Sequence, residues 1–394
     1  MPAYAWVVLC VVMLAGVTAP LNQFKVPPLM PALMERFQLG LSTAGLLMSI
    51  FAITGFALAL PAGIILQKLG PKVTGLTAIG CLLVGSVLGA LSTGANFLLA
   101  SRLVEGAGMG LIAVVAPATI AIWFPAENRG LPMGIWATWV SLGSLIIYNL
   151  APALNTIAGW QAAWWAGAGF ALVAFSLYWL FIRMPSSLEA STPGTGVTIK
   201  NQPGLNLRQA LGGRSIWLLA LSFCCFNFVV IGVIATYFPT YLKVVHGYSL
   251  AEASMVTSLK MVMVILTAPL AGWLSDRVGS SKRILLVSLA VLAVYVLFPF
   301  SVGGGLAMAA MIVLGIIAGA IPTATFSAVP EAMGNLHSAG IGMGVIMMGQ
   351  NLGQLLGPLV FGTLVESAGW AVAGYWMLPV LIIAIAAAWF TKIR

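Results

Sequence analysis

Apolar residues along this chain do not alternate with polar ones; they run. Stretches of about 20 residues with almost no charge recur from end to end, and polar residues gather in the short gaps between them. About 20 apolar residues at 1.5 Å per residue make a helix that crosses a hydrocarbon layer ~30 Å thick. The runs predict twelve membrane spans, near 5–33, 43–66, 73–93, 97–123, 131–153, 162–183, 215–242, 251–275, 283–301, 305–328, 339–363 and 371–391. The longest polar gap, 184–214, holds Pro185, Pro193, Gly194, Gly196, Pro203 and Gly204, and reads as a connector with little fixed structure. The expected domains are therefore a six-helix bundle at 1–183, a linker at 184–214 and a second bundle at 215–394.

Composition sharpens this picture. The chain is 61% hydrophobic and 6% charged, against roughly 25% charged residues in a soluble domain. An exterior facing water could not accommodate so much apolar surface; one facing lipid can. The 17 Lys and Arg against 8 Asp and Glu would suggest nucleic acid in a soluble chain. Here their placement excludes that partner and reports orientation instead. With the N-terminus inside, cytoplasmic segments hold Lys68, Lys72, Arg129, Arg183, Lys200, Arg208, Arg214, Arg277, Lys282, Arg283, Lys392 and Arg394, while outer loops hold only Arg36 and Lys243. That asymmetry predicts a multi-pass protein of a bacterial-type inner membrane with both termini cytoplasmic. The first apolar run has no basic flank before it and is long enough to span, so it reads as a helix and not a cleaved signal. Cys10, Cys81, Cys224 and Cys225 lie in apolar runs without metal spacing and read as small buried hydrophobes.

The gap after span 2 reads Gly63-Ile-Ile-Leu-Gln67-Lys68-Leu-Gly70-Pro71-Lys72, and the gap after span 8 reads Gly272-Trp-Leu-Ser-Asp276-Arg277-Val-Gly279-Ser-Ser-Lys282-Arg283. The glycines match at an offset of 209 residues (272 − 63), so a six-helix unit is duplicated. The glycines are expected to serve tight turns and close helix approach, and the cations to hold the loops at the inner leaflet.

These two loops resemble the signature of the major facilitator superfamily. The second matches it in full; the first carries Gln67 where the family has Asp. Arg102-Leu-Val-Glu105-Gly106-Ala-Gly108-Met-Gly110 in span 4 is similar to the family's arginine motif, and Trp123-Phe124-Pro125-Ala-Glu127-Asn-Arg129-Gly130 is also typical. The resemblance covers the whole chain. It implies an all-α membrane fold of two six-helix bundles that rock between inward-open and outward-open states. The antiporter-type glycine-proline pattern is poorly met in span 5, where Gly143 through Pro152 lacks the closing glycines. Span 11 carries Gly349, Gly353, Gly357, Pro358 and Gly362, read chiefly as close helix packing.

Charges inside spans are costly and face a cavity or a partner. There are four: Lys25 in span 1, Arg102 and Glu105 in span 4, and Lys260 in span 8. Lys260 lies about nine residues into its span, roughly 14 Å deep at 1.5 Å per residue, where snorkelling is difficult. At the repeat-equivalent position stands Phe51, so the scaffold does not require the charge. Substrate binding is the leading reading; the alternatives are pairing with a distant acid or a misplaced span. Lys25 shares a helix face with Asn22 and Thr18, which argues for cavity lining, but snorkelling to the outer interface competes with it. Pro27, Pro28 and Pro31 are expected to distort the outer end of span 1. Arg102 and Glu105, three apart, read as an ion pair, with proton coupling at Glu105 as the alternative; Lys25 or Arg102 could also bind a second charge of the substrate or close the outer gate. Further candidate lining groups are Tyr148 and Asn149, Asn227, Tyr237 and Tyr241, Thr323 and Thr325, and Gln350, Asn351 and Gln354. His246 and His337 read as loop residues.

No phosphate-cradling Gly-rich loop, metal cluster or nucleophile-base arrangement occurs, so neither an enzyme nor an ATP-driven pump is expected, nor any cofactor. An excess of buried cations favours an anionic small-molecule substrate. A cation in span 8 and another in span 1 resemble the arrangement in monocarboxylate transporters and the oxalate:formate exchanger. The acid that monocarboxylate carriers place one turn before the span 8 cation is replaced by Val256. The expectation is a monomeric secondary transporter of a small carboxylate or similar oxyanion, coupled to protons or to anion exchange. Efflux of drugs or amphipathic metabolites is the second reading, and a non-transporting receptor the third.

Overall fold

The computed structural model describes residues 3–58, 61–124, 130–183, 213–278, 280–333 and 339–393. These are almost entirely helical, and no strand occurs among them. Eleven helical stretches are long and apolar enough to cross a bilayer. The twelfth span is present behind a break. The helix Ala339–Tyr375 turns sharply at Gly369, at φ 80° and ψ 170°, and the apolar chain resumes through Met377–Phe390. Gly70 plays the same part between spans 2 and 3, inside Pro61–Ala90, at φ 74° and ψ 169°. That backbone region is almost closed to residues with a Cβ, which makes both turns depend on glycine.

Many of the large side chains that lack protein contact are apolar, among them Trp179, Phe390 and Leu172. This is the inside-out surface expected of a multi-pass membrane protein. Cys10 belongs to that surface: it is exposed and not a buried hydrophobe as expected.

The described residues fall into two compact units. The first comprises those within Met1–Lys25, Ile53–Ile147 and Leu154–Pro203; the second comprises those within Val26–Ala52, Tyr148–Ala153 and Gly204–Arg394. Most of the predicted linker, 184–212, lies outside the described residues. In the first unit, spans 1, 3, 4 and 6 bury a common core that includes Val8, Val12, Ile79, Leu82, Ile112 and Ala171. In the second, span 7 is deeply buried and span 11 packs along it. A Cβ on Gly357 would lie 2.6 Å from the Phe228 carbonyl, so glycine here lets two backbones touch. Close packing is thus what the span 11 glycines provide.

Several spans depart from the predicted single helices, three of them within the stretches that hold the candidate residues. Span 1 is Ala3–Gln23 and Val26–Phe37, separated by a turn at Phe24 and Lys25. The break falls one turn ahead of the prolines for a simple reason. Pro27 and Pro28 have no N–H, so the carbonyls four residues earlier, on Gln23 and Phe24, lose their helical donors. Span 5 divides at Thr138 into Gly130–Ala137 and Trp139–Ala158. Span 7 is α-helical over Arg214–Asn227, π-helical over Phe228–Ala235 and α-helical again over Thr236–His246. His246 therefore ends a helix instead of lying in a loop.

Candidate functional site

The first unit holds a buried charge network built on the break in span 1. Lys25 Nζ donates to Glu105 Oε1 at 2.6 Å, to Asn22 Oδ1 at 2.9 Å and to Ser86 Oγ at 2.9 Å. It also lies 4.6 Å from the centre of the Trp164 ring. The other oxygen of Glu105 accepts from Arg102. Lys25, Arg102 and Glu105 are all 0% exposed, which excludes snorkelling by Lys25. The Arg102 guanidinium also donates to the carbonyls of Asn22 at 2.7 Å and Gln23 at 2.8 Å. These are the terminal carbonyls of Ala3–Gln23, and Gln23 is one of the two that the prolines leave without a helical donor. Arg102 therefore caps this helix from span 4, where the helix dipole favours a cation. The ion pair expected for Arg102 and Glu105 is present, and Lys25 completes it as a triad with one formal positive charge in excess.

Glycines let the helices close around the triad. A Cβ on Gly85 would sit 2.6 Å from Glu105 Cγ and 2.8 Å from its backbone nitrogen, and one on Gly167 would collide with Asn22 Oδ1. Ser86 and Trp164 were not anticipated as partners of Lys25. The signal for them was slight: one hydroxyl flanked by Gly85 and Gly89 on an apolar span, and one tryptophan near Gly167.

The second unit holds Lys260, on the helix Leu250–Val278, 3% exposed. Its Nζ lies 3.4 Å from the Val230 carbonyl, in the π-helical stretch of span 7. Among the described residues no carboxylate comes within 4 Å of it; both ion pairs there belong to Glu105. Among the described residues Lys260 is thus enclosed by protein and has no acidic partner. Its surroundings are the polar backbone of span 7 and the packed helix of span 10, where a Cβ on Gly315 would lie 2.5 Å from the Lys260 carbonyl.

The remaining candidates divide. Tyr148 donates to the Ala235 carbonyl, and Asn149 Nδ2 donates to Ser258 Oγ at 3.2 Å. Asn227 accepts from Gln354 at 3.4 Å and donates to the Phe223 carbonyl. Asn351 donates to its own helix at the Met347 carbonyl, and Gln350 is half-buried beside it. Tyr237 is fully buried against the rings of Phe361 and Trp370, its hydroxyl 2.7 Å from the Pro358 carbonyl and 3.1 Å from that of Leu41. In the signature loops, Lys68, Arg277 and Arg283 are exposed, and Lys282 Nζ donates to the Thr391 carbonyl at 2.7 Å. Lys72 is half-buried next to the Gly70 turn. Gly63 and Gly272 lie within helices; a Cβ on Gly63 would meet nothing within 4 Å, so it serves neither turn nor close approach. Gly279, His337 and the side chains of Gln67 and Asp276 lie outside the described residues.

The family model of the Major Facilitator Superfamily matches residues 12–342 and 246–394. This chain belongs to that superfamily. It is a multi-pass membrane transporter and not an enzyme. Superfamily relatives include the probable sulfoacetate transporter of Cupriavidus necator, 24% identical over 86% of this chain and 82% of that protein. The phosphoglycerate transporter protein of Salmonella typhimurium is 26% identical over 88% of this chain and 80% of its own length. Among solved structures, a bacterial homologue of the human lysosomal transporter Spinster superposes with a TM-score of 0.79. It is 16% identical and covers 99% of this chain and 97% of that one. That superfamily member confirms the twelve-helix fold.

Proposed function

We propose that this superfamily member is a secondary active transporter of a small anion, an organic carboxylate or similar oxyanion, working by alternating access. The observation that carries the proposal is Lys260: an ammonium deep in an apolar span, 3% exposed, whose described polar contact is a neutral carbonyl. Such a group is expensive to keep in a membrane and is retained where it meets cargo. A carboxylate would meet it as a counter-charge as well as a hydrogen-bond acceptor, which the neutral Val230 carbonyl cannot do. The two relatives named above are called transporters of sulfoacetate and of phosphoglycerate, both anions, which supports the same reading.

The triad has a different part in this proposal. Each oxygen of Glu105 is held by a cation, so protonating it would leave two buried positive charges unpaired. Glu105 then acts as a fixed counter-charge, and Lys25, Arg102 and Asn22 hold the break in span 1. This favours anion exchange over proton symport routed through Glu105. The site for cargo is assigned to Lys260, with Gln350 and Asn351 as further lining candidates, in two bundles at 1–183 and 215–394 with both termini cytoplasmic.

Counterflow in proteoliposomes tests the proposal, using labelled oxalate, malonate, sulfoacetate, 3-phosphoglycerate and glucuronate. Wild type should exchange at least one of them, and Lys260→Ala should abolish that exchange while its melting temperature stays within a few degrees. Exchange of none of them, or undiminished exchange by Lys260→Ala, refutes the reading. Dependence of uptake on an imposed proton gradient, lost in Glu105→Gln at unchanged counterflow, would instead assign coupling to Glu105.

A further inference from the structure

The π-helical stretch of span 7 has a feature that neither the fold nor the transport proposal uses. A π-helix closes its hydrogen bonds over five residues, which widens the turn and re-aims its carbonyls; such stretches are rare, mostly single turns, and concentrate at functional sites. This one runs for eight residues, Phe228–Ala235, and every residue in it is apolar or glycine. It has no polar side chain of its own to hold the wide turn. Groups outside it do so. The Thr236 hydroxyl donates to the Ile231 carbonyl at 3.0 Å, five residues back, while the Thr236 amide turns to Val233. The Tyr148 hydroxyl, from span 5, donates to the Ala235 carbonyl. Lys260 donates to the Val230 carbonyl at 3.4 Å.

We infer that the π-helical segment sets the position of the Lys260 ammonium, and that Tyr148 and Thr236 are positioning residues that act on the cargo through that segment. The inference rests on the reading of Lys260 as the anion-binding group. Lys260 has four rotatable bonds, and the Val230 carbonyl is the polar atom that fixes where its nitrogen rests. Rewinding the stretch as an α-helix would narrow the turn and rotate the residues after it, which would shift the Val230 carbonyl relative to Lys260. A bond of 3.4 Å to a neutral oxygen orients the ammonium and yields readily to an anionic oxygen. Tyr148 and Thr236 are both 0% exposed, and each donates to a carbonyl of the π-helical stretch, at Ala235 and at Ile231, which ties both hydroxyls to the span 7 backbone that meets Lys260.

The test is counterflow kinetics in proteoliposomes with whichever of oxalate, malonate, sulfoacetate, 3-phosphoglycerate and glucuronate wild type exchanges fastest. Thr236→Val and Tyr148→Phe should each raise KM roughly three- to tenfold with Vmax within about twofold. Thr236→Ser, which keeps the hydroxyl, should restore the wild-type KM. A role confined to stability would lower the melting temperature and Vmax and leave KM unmoved, which would overturn the inference. A raised KM in Tyr148→Phe alone would also overturn it, since Tyr148 would then touch the cargo directly. If Lys260→Ala exchanges as wild type does, or wild type exchanges none of the probes, it is the anion reading that fails. If Lys260→Ala is inactive and Thr236→Val is silent, only the role of the π-helical segment fails.

Discussion

Glu105→Gln offers the sharpest test of the buried triad. The substitution keeps the volume and one acceptor oxygen and removes the charge. In the native protein one carboxylate oxygen lies 2.6 Å from Lys25 Nζ and the other accepts from Arg102, all at 0% exposure. Removing one partner of a buried pair costs about 3–5 kcal/mol, because the remaining charge stays buried without compensation. Here one acid serves two cations, so the upper part of that range is expected. Lys25→Met removes the surplus cation and leaves Glu105 with Arg102; its cost is the lost bonds to Glu105, Asn22 and Ser86, about 1.5–3 kcal/mol. The double variant retains only Arg102, still bonded to the carbonyls of Asn22 and Gln23. It should therefore be more stable than Glu105→Gln alone, by about 1–3 kcal/mol, a coupling that independent sites do not show. Thermal unfolding in detergent, followed by a thiol-reactive dye at the four free cysteines, measures this. At about 2 °C per kcal/mol, Glu105→Gln should melt roughly 8–10 °C below wild type. A melting point within a degree of wild type, or a double variant as unstable as the sum of the singles, would refute the triad as a stabilising unit.

Two further substitutions probe the packing in each unit. Gly167→Ala should destabilise the first unit by about 1–3 kcal/mol, since the added methyl displaces Asn22 and Ser86 from Lys25; the same dye assay reads it. Tyr237→Phe removes the hydroxyl 2.7 Å from the Pro358 carbonyl, and the melting point should fall by an amount equivalent to about 1–2 kcal/mol, with the counterflow KM unchanged.

The helical plan was open to reading because each span announces itself by length and apolarity. Of the signature loops, the turn at Gly70 was equally open, since Gly70 occupies a backbone region that glycine alone adopts readily; Gly63 was not, since it makes neither turn nor close approach. Lys260 was found for the same kind of reason: a charge in the middle of an apolar run stands out whatever surrounds it. What surrounds a charge was not open to reading. Lys25 and Glu105 are 80 residues apart, and nothing local joins them; only the packing of spans 1, 3, 4 and 6 does. The break in span 1 was expected at the prolines and falls a turn earlier, because a missing N–H acts on the carbonyl four residues behind it. The π-helical stretch left no trace in FVVIGVIA, a run that would suit an α-helix equally well. It is held by Thr236 and Tyr148, and the second of these comes from another span.

The arrangement around Lys25 also bears on how the chain enters the bilayer. Spans are inserted in order, and a lysine inside a span costs about 2.5–3.5 kcal/mol on insertion, set against the gain from each Leu, Val and Phe around it. Val7, Val8, Leu9, Val11, Val12 and Leu14 supply that counterweight in the segment ahead of Lys25. Until span 4 is made, the Lys25 ammonium can meet only neutral oxygens, on Asn22 and, once span 3 is in, on Ser86. The acid that neutralises it and the guanidinium that closes the helix beside it arrive together, three residues apart. Assembly of the first unit is thereby tied to one later event, and a ribosome stalled before residue 105 holds a nascent chain in which the Lys25 charge is still uncompensated.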